Sequence, residues 1–463
     1  MHRIRSALPR GLLPPLLAAL ALRVFLVLWV RNITFDSEQF LAIARNLAQH
    51  GAFSASLNPP LEPTMVRPPG YPALLAAIFA LFGENLLLVT LFQAALDTAT
   101  VGVIYAIARH LALRKPLIAA WIAALCPFTA IYTTFLLAET LSIFFTSLSL
   151  LLLVLTARRP RISMALACGA SFGALILIRP DFGLFPPIAF LFWLLIRRSR
   201  PHFIRLAACA SIACAAVFGP WIGRNAVVLG EITIANRILA ARPGFERLEP
   251  KGFWSWFRTW ADGIHDLQAT ASPYLAGAWD LVQIPERATA SPDEKRALDA
   301  LLARLKERPN DPSAMMEIDA DLKHLAEMHA AKAPLQTHFI VPAKRAAALW
   351  INGRTSGFPL PSAAEIAEGK ASPLAALVKI GLIGANFGIL ILAAIGVIAL
   401  RKAPHKGAVL ALTIGLVAYR TIFHALYGAA DPRYVISAFP ALFLLGSQAS
   451  SSVARFRLRR RLR

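Results

Sequence analysis

The sequence predicts an all-α polytopic membrane protein of about ten transmembrane helices, with surface helices in a first outer loop and a helical outer segment. Three observations carry this fold class. Of 463 residues, 57% are hydrophobic and 16% charged, with a mean hydropathy of +0.57; this is too apolar for one soluble domain and too charged for a bundle of bare helices. Apolar runs long enough to span, or nearly so, recur along the chain. Basic residues cluster at every second connection between those runs, as short cytoplasmic loops require.

The first span covers residues 11–30. The arginines before it have the look of a signal peptide, but Arg23 interrupts the run and no convincing cleavage site follows, so it reads as an uncleaved first helix. In the first outer loop, residues 31–85, the stretch Phe35 to Phe53 puts Phe40, Ile43 and Leu47 on one helical face and Gln39, Arg45, Asn46 and Gln49 on others. That pattern fits a helix lying along the bilayer surface, with Asp36 at the lipid-water boundary. Residues 73–82 are apolar but too short to span and precede Gly83-Glu84, which fits a re-entrant or surface helix. Spans follow near 86–108, 116–133, 138–156, 162–178, 182–196 and 203–221, completing an N-terminal transmembrane core over 1–221.

Residues 222–373 hold most of the Asp and Glu and read as a water-facing, periplasmic helical segment. Asp293 to Arg308 carries Leu298, Leu301, Leu302 and Leu305 at helical spacing, with acids early and bases late, as the helix dipole favours. Pro309 and Pro312 end it, and a second helix is expected over Ser313 to Ala331. The run Trp254, Trp256, Phe257 and Trp260 has the composition of a membrane interface. The C-terminal unit, 374–463, contains spans near 374–400, 407–427 and 434–450 and a basic tail.

Charge orients this arrangement. Arg3/Arg5/Arg10, Arg109/Arg114/Lys115, Arg158/Arg159/Arg161, Arg197/Arg198/Arg200/Arg205, Arg401/Lys402/Lys406 and the tail Arg455 to Arg463 fall on one side, which places both termini in the cytoplasm. Asp36, Glu38, Glu62, Glu84, Glu139, Asp181, Glu231 and Asp431 fall on the other, and Asp97 lies within the second span. The net charge of +22 is therefore topological, which argues against a nucleic-acid partner. Cys126, Cys168, Cys209 and Cys214 all lie in expected spans as small buried hydrophobes, with no disulfide framework or zinc spacing.

Ionisable residues at outer helix ends are where chemistry is expected. Asp36 leads, although Asp36 and Gln39 also have the spacing of a capping box. Arg67 precedes Pro68-Pro69-Gly70-Tyr71-Pro72, a stiff loop that presents a guanidinium fork suited to phosphate, or a turn with a snorkelling Arg. Glu139 opens the fourth span, where a carboxylate needs a polar cavity. Arg179-Pro180-Asp181 and Asp431-Pro432-Arg433-Tyr434 fit local ion pairs at helix ends, Arg224-Asn225 fits an interfacial anchor, and Tyr419, Arg420, His424 and Tyr427 fit either a cavity lining or packing groups. Asp36 with Arg67 points to a membrane enzyme handling a lipid-linked phosphate.

The pieces FDSEQFLAIARNLAQHGAF, VRPPGYPALLAAIFALFG, LLAETL, LIRPD at 177–181, PWIGRNAVVLGE at 220–231 and DPRYVISAFPALFLL at 431–445 resemble the C-type glycosyltransferases, specifically the dolichyl-phosphate-mannose protein mannosyltransferase-like family that includes bacterial aminoarabinose transferases. The resemblance runs over Met1 to about Glu231 and the last spans. It implies transfer of a hexose or pentose from a polyprenyl-phosphate donor to a lipid, glycan or protein acceptor on the outer face of a bacterial inner membrane. The family's essential first-loop acid maps onto Asp36 and its phosphate-binding arginine onto Arg67; Glu139 would line the same cavity, so Asp36 and Glu139 are the expected catalytic residues. Arg224 and Arg433 are the other candidate phosphate ligands, and Glu38, Tyr71, Asp181 and His424 are candidate lining residues. Members often carry a second acid directly after the first; here Ser37 intervenes and the next acid is Glu38. No cofactor is required, and a divalent cation between Asp36 and Glu139 is compatible with the sequence without being demanded by it. The competing readings are a transporter or flippase of lipid-linked saccharides, and a membrane assembly protein without enzymatic activity.

Overall fold

The computed structural model describes residues 11–30, 33–234, 249–309, 311–401, 406–427 and 431–449. The clusters Arg3/Arg5/Arg10 and Arg455 to Arg463, Lys402, and the edges of the first loop and of the last span at residues 31, 32 and 450 lie outside the described residues. The described residues form an all-α polytopic membrane protein whose sole β-type pairing is one bridge between Ser54 and Pro63.

Among the described residues, five helices are long and apolar enough to cross a membrane: Leu86–His110, Glu139–Arg158, Arg200–Leu229, Pro373–Leu400 and Lys406–Leu426. A sixth crossing exists if Pro116–Leu125 and Pro127–Thr134, bent by 53°, count as one. The other apolar runs are carried by shorter pieces: Leu13–Trp29, Ile162–Ile178, Pro180–Leu195 and a 3-10 turn at Pro432–Ala438 that continues as helix to residue 449. Proline accounts for the fragmentation, because it removes a backbone donor and collides with the preceding turn. Pro127 breaks the run expected over 116–133, and Pro186 and Pro187 sit in the run expected over 182–196, with Pro180 just before it. Ile204, Ile212, Val227, Leu374, Leu377 and Ile380 are exposed on two of the long helices, a surface that lipid solvates and water does not.

Inside the bundle, the two charges that interrupt the first and second spans are partners. Arg23 Nε donates to Asp97 Oδ2 at 2.8 Å, with both side chains buried. Its Nη1 and Nη2 donate to the carbonyls of Ala124 (2.7 Å) and Ala123 (3.1 Å). Those carbonyls sit at the break before Pro127, where the regular helical bond is lost, so the guanidinium neutralises an acid and satisfies a helix end together.

Helix Ile162–Ile178 crosses helix Phe203–Leu229 at backbone contact: a Cβ on Gly169 would lie 1.9 Å from the Ala210 carbonyl oxygen. Gly70, which opens helix Gly70–Phe82, serves a similar need. A Cβ there would lie 2.7 Å from Ile178 Cγ1 and 2.9 Å from the Leu177 carbonyl oxygen. The glycine of the RPPGYP loop thus permits close approach to the end of helix Ile162–Ile178.

Residues 249–372 form a compact helical segment. Helices Pro292–Glu307, capped by Ser291, and Pro312–Lys332, capped by Asp311, agree with the expected pair and bury Leu298, Leu301, Leu305, Ile318 and Leu322. The Trp-rich run forms helix Lys251–Trp260, but Trp256, Phe257 and Trp260 point into the core of this segment instead of to a membrane interface.

Candidate active site

Helix Phe35–His50 starts at Thr34, whose hydroxyl accepts from Ser37 N while Ser37 Oγ accepts from Thr34 N. The capping box belongs to this pair, so the alternative role of Asp36 as the cap does not hold. Its carboxylate is left for tertiary partners. Oδ1 pairs with Arg67 Nη2, and Oδ2 lies 2.7 Å from Arg433 Nη1. Arg67 also donates from Nε to Gln39 Oε1 at 2.8 Å and sits 5.1 Å over the Phe40 ring. Arg433 is held by Asp431 at 2.7 Å, and Asp431 caps the Pro432–Ala438 turn. Burial opposes ionisation of Asp36, but the guanidinium groups of Arg67 and Arg433 outweigh it and keep the carboxyl well below the usual carboxylate range.

A second ionic cluster adjoins the first. Glu139 is the first residue of helix Glu139–Arg158, where the helix dipole favours its charge, and Arg179 Nη1 lies 3.2 Å from its Oε1. Arg179 Nη2 reaches Asp181 Oδ2 at 2.9 Å. Asp181 also receives Arg420 at 2.9 Å and has His424 Nε2 at 3.2 Å. Burial again disfavours the Asp181 charge, and Arg179, Arg420 and His424 together pull its carboxyl well below the usual range. Tyr434 joins the clusters: the guanidinium groups of Arg179 and Arg433 each lie 5.3 Å from its ring, and His424 stacks on it at 4.9 Å.

These residues surround a cavity of about 720 Å³ lined by Asp36, Arg67, Glu139, Arg179, Asp181, His424, Arg433 and Tyr434. Helix Lys251–Trp260 forms its opposite wall with Lys251, Trp254, Ser255 and Arg258. That helix is held at both ends. Asp319 accepts from Gly252 N and Phe253 N, each at 2.8 Å, and Arg345 donates to the carbonyls of Ala261 (2.6 Å), Ala425 (3.0 Å) and Arg258.

The geometry brings together Asp36, Arg67, Glu139, Asp181, His424 and Arg433 from six separate elements of the chain. It leaves three candidates out. Arg224 binds the Thr64 carbonyl at 2.8 Å, stacks 4.9 Å from the Trp221 ring and lines a different groove. It fastens the loop that carries Arg67 and does not reach the cavity. Tyr71 is fully buried and donates to Gln93 Oε1 at 2.8 Å, and Glu38 points to solvent. Arg179 and the wall residues Lys251 and Arg258 are lining groups outside the sequence-derived set.

Among the described residues no group of three or more His, Cys, Asp or Glu side chains is arranged to hold a metal ion. The two carboxylates named for a divalent cation, Asp36 and Glu139, are each engaged by arginine. Adjacent guanidinium groups repel a second cation, so this donor set does not fit one.

Residues 66–223 match the family described as Dolichyl-phosphate-mannose-protein mannosyltransferase. The matched segment contains Arg67, Glu139, Arg179 and Asp181 of the cavity. No curated protein matches the sequence. Among solved structures, the chain is similar to the Archaeoglobus fulgidus oligosaccharyltransferase tethered with an acceptor peptide, at 16% identity and a TM-score of 0.50, covering 98% of this chain and 51% of that one. The chain thus spans about half the length of that enzyme, and the likeness is one of fold. ArnT from Cupriavidus metallidurans bound to undecaprenyl phosphate aligns at 14% identity and a TM-score of 0.42, covering 96% of this chain and 78% of that one.

Proposed function

We propose that the protein is an integral-membrane glycosyltransferase that moves a sugar from a polyprenyl-phosphate donor to a hydroxyl of a lipid, glycan or protein acceptor at the outer face of a bacterial inner membrane. The observation that carries this reading is the carboxylate of Asp36 held between Arg67 and Arg433 on the wall of a large cavity at the ends of membrane helices. The family match over residues 66–223 supports it.

The chemistry follows from the groups present. The acceptor oxygen attacks the anomeric carbon, a new C–O bond forms, and the bond from that carbon to the phosphate oxygen breaks, leaving the electron pair on the phosphate. Arg67 and Arg433 stabilise the negative charge that develops there, because guanidinium forks bind phosphate oxygens in pairs and a cavity of low dielectric strengthens the interaction. Asp36 takes the proton from the acceptor hydroxyl. Glu139, fixed by Arg179, orients the acceptor, and Trp254 offers an apolar face for a sugar ring.

Purified protein supplied with a panel of radiolabelled polyprenyl-phosphate sugars and a membrane extract as acceptor source is expected to yield a labelled product with at least one donor and none with nucleotide sugars. Transfer from a nucleotide sugar alone would overturn the reading.

A further inference from the structure

Asp36 has no remaining structural duty in its own helix, since Thr34 and Ser37 cap it. Yet both of its oxygens are bound by cavity-lining cations, one by Arg67 and one by Arg433. The two arginines come from opposite ends of the chain and converge on one small anion. Each is also steadied from behind, Arg67 by Gln39 at 2.8 Å and Arg433 by Asp431 at 2.7 Å. Such a pair of braced forks is the arrangement a phosphate monoester needs, and here a carboxylate fills it.

We propose that Asp36 occupies the place of the donor phosphate in the empty enzyme, and that donor binding displaces it from Arg67 and Arg433 and so creates the free carboxylate that accepts the acceptor's proton. The proposal rests on the donor reading above. It resolves a conflict in that reading: a carboxylate gripped by two guanidinium groups is a poor proton acceptor. When the phosphate takes over the arginines, Asp36 loses two cations and gains a neighbouring anion. Both changes raise its affinity for a proton. The base is therefore strong only while donor is bound, which keeps an activated carboxylate from facing an empty, water-filled cavity. When the spent polyprenyl phosphate leaves, Asp36 closes on the arginines again.

The exchange makes Asp36 a competitor of the donor, and this sets it apart from a residue that only organises the arginines. Binding of farnesyl phosphate, a short polyprenyl monophosphate, is measured by calorimetry on the full-length protein in detergent for the parent, Asp36→Asn, Asp36→Ala and Arg67→Gln. Melting temperatures verify folding, which the Thr34–Ser37 box preserves. The expected result is binding about tenfold tighter in both Asp36 variants, the size of one unfavourable charge removed, and much weaker binding in Arg67→Gln. Unchanged or weaker binding in both Asp36 variants, with Arg67→Gln still impaired, overturns the exchange and leaves the donor reading standing. Undiminished binding in Arg67→Gln overturns the donor reading itself.

Discussion

Replacing Arg345 by Met tests whether the helical segment must be docked for the cavity to work. Arg345 is 2% exposed, and no carboxylate pairs with it among the described residues. Burial lowers its pKa to about 10, which still leaves it cationic at neutral pH. Its guanidinium donates to three carbonyls: Ala261 and Arg258 at the end of the cavity-wall helix, and Ala425 at the end of helix Lys406–Leu426. Methionine fills the same space and donates nothing. Hydrogen bonds to a charged donor contribute about 1.5–3 kcal/mol each, and since the three share one side chain and water can reach part of the gap, a total of about 3 kcal/mol is reasonable. A loss of that size lowers the docked fraction of the wall helix by roughly two orders of magnitude relative to its open form. Hydrogen exchange on residues 251–261 should therefore accelerate about a hundredfold in Arg345→Met. Farnesyl phosphate affinity should stay within about twofold, because Arg67 and Arg433 sit on the other wall, while sugar transfer falls sharply. Unchanged protection of 251–261 would refute the assignment of Arg345 as the residue that docks this wall.

Three further outcomes are expected. Asp97→Leu strands Arg23 as a buried charge and should cost about 3–5 kcal/mol in detergent melts; Arg23→Met with Asp97→Leu should recover part of it, the remainder being the uncapped carbonyls of Ala123 and Ala124. Gly70→Ala forces a Cβ against Ile178 and the Leu177 carbonyl, so it should cost about 1–3 kcal/mol and weaken farnesyl phosphate binding by shifting Arg67; parental affinity would show that this contact does not place the loop. Cysteines at Lys295 and Arg198 should label oppositely with an impermeant maleimide in intact cells, and equal labelling would reject the outer placement of the helical segment.

The fold was legible where composition and spacing act locally. The helices Pro292–Glu307 and Pro312–Lys332 were visible as leucine periodicity with caps and dipole-matched charges, and the long spans as apolar runs. The broken runs were less visible, because Pro127 interrupts a helix only if the freed carbonyls find a partner, and that partner, Arg23, lies a hundred residues earlier. The Trp-rich helix was misplaced for a related reason: aromatic content signals burial, and a membrane interface and a segment core look alike in composition. In the site, Asp36, Arg67 and Glu139 stood out as charges flanking apolar stretches, and all three line the cavity. Arg224 had the same sequence appearance and lies elsewhere, since its stacking on Trp221 turns it toward the 53–64 loop. Arg179 looked like half of a local pair with Asp181; its link to Glu139 depends on two helix ends meeting, which no spacing records.

The most direct measurement is an electron cryomicroscopy structure of the protein with a polyprenyl-phosphate sugar, or its product polyprenyl phosphate, bound. The account predicts phosphate oxygens within hydrogen-bond distance of Arg67 and Arg433, with the Asp36 carboxylate turned away from both and facing the cavity. A phosphate bound elsewhere, with Asp36 still bridging the two arginines, would contradict it.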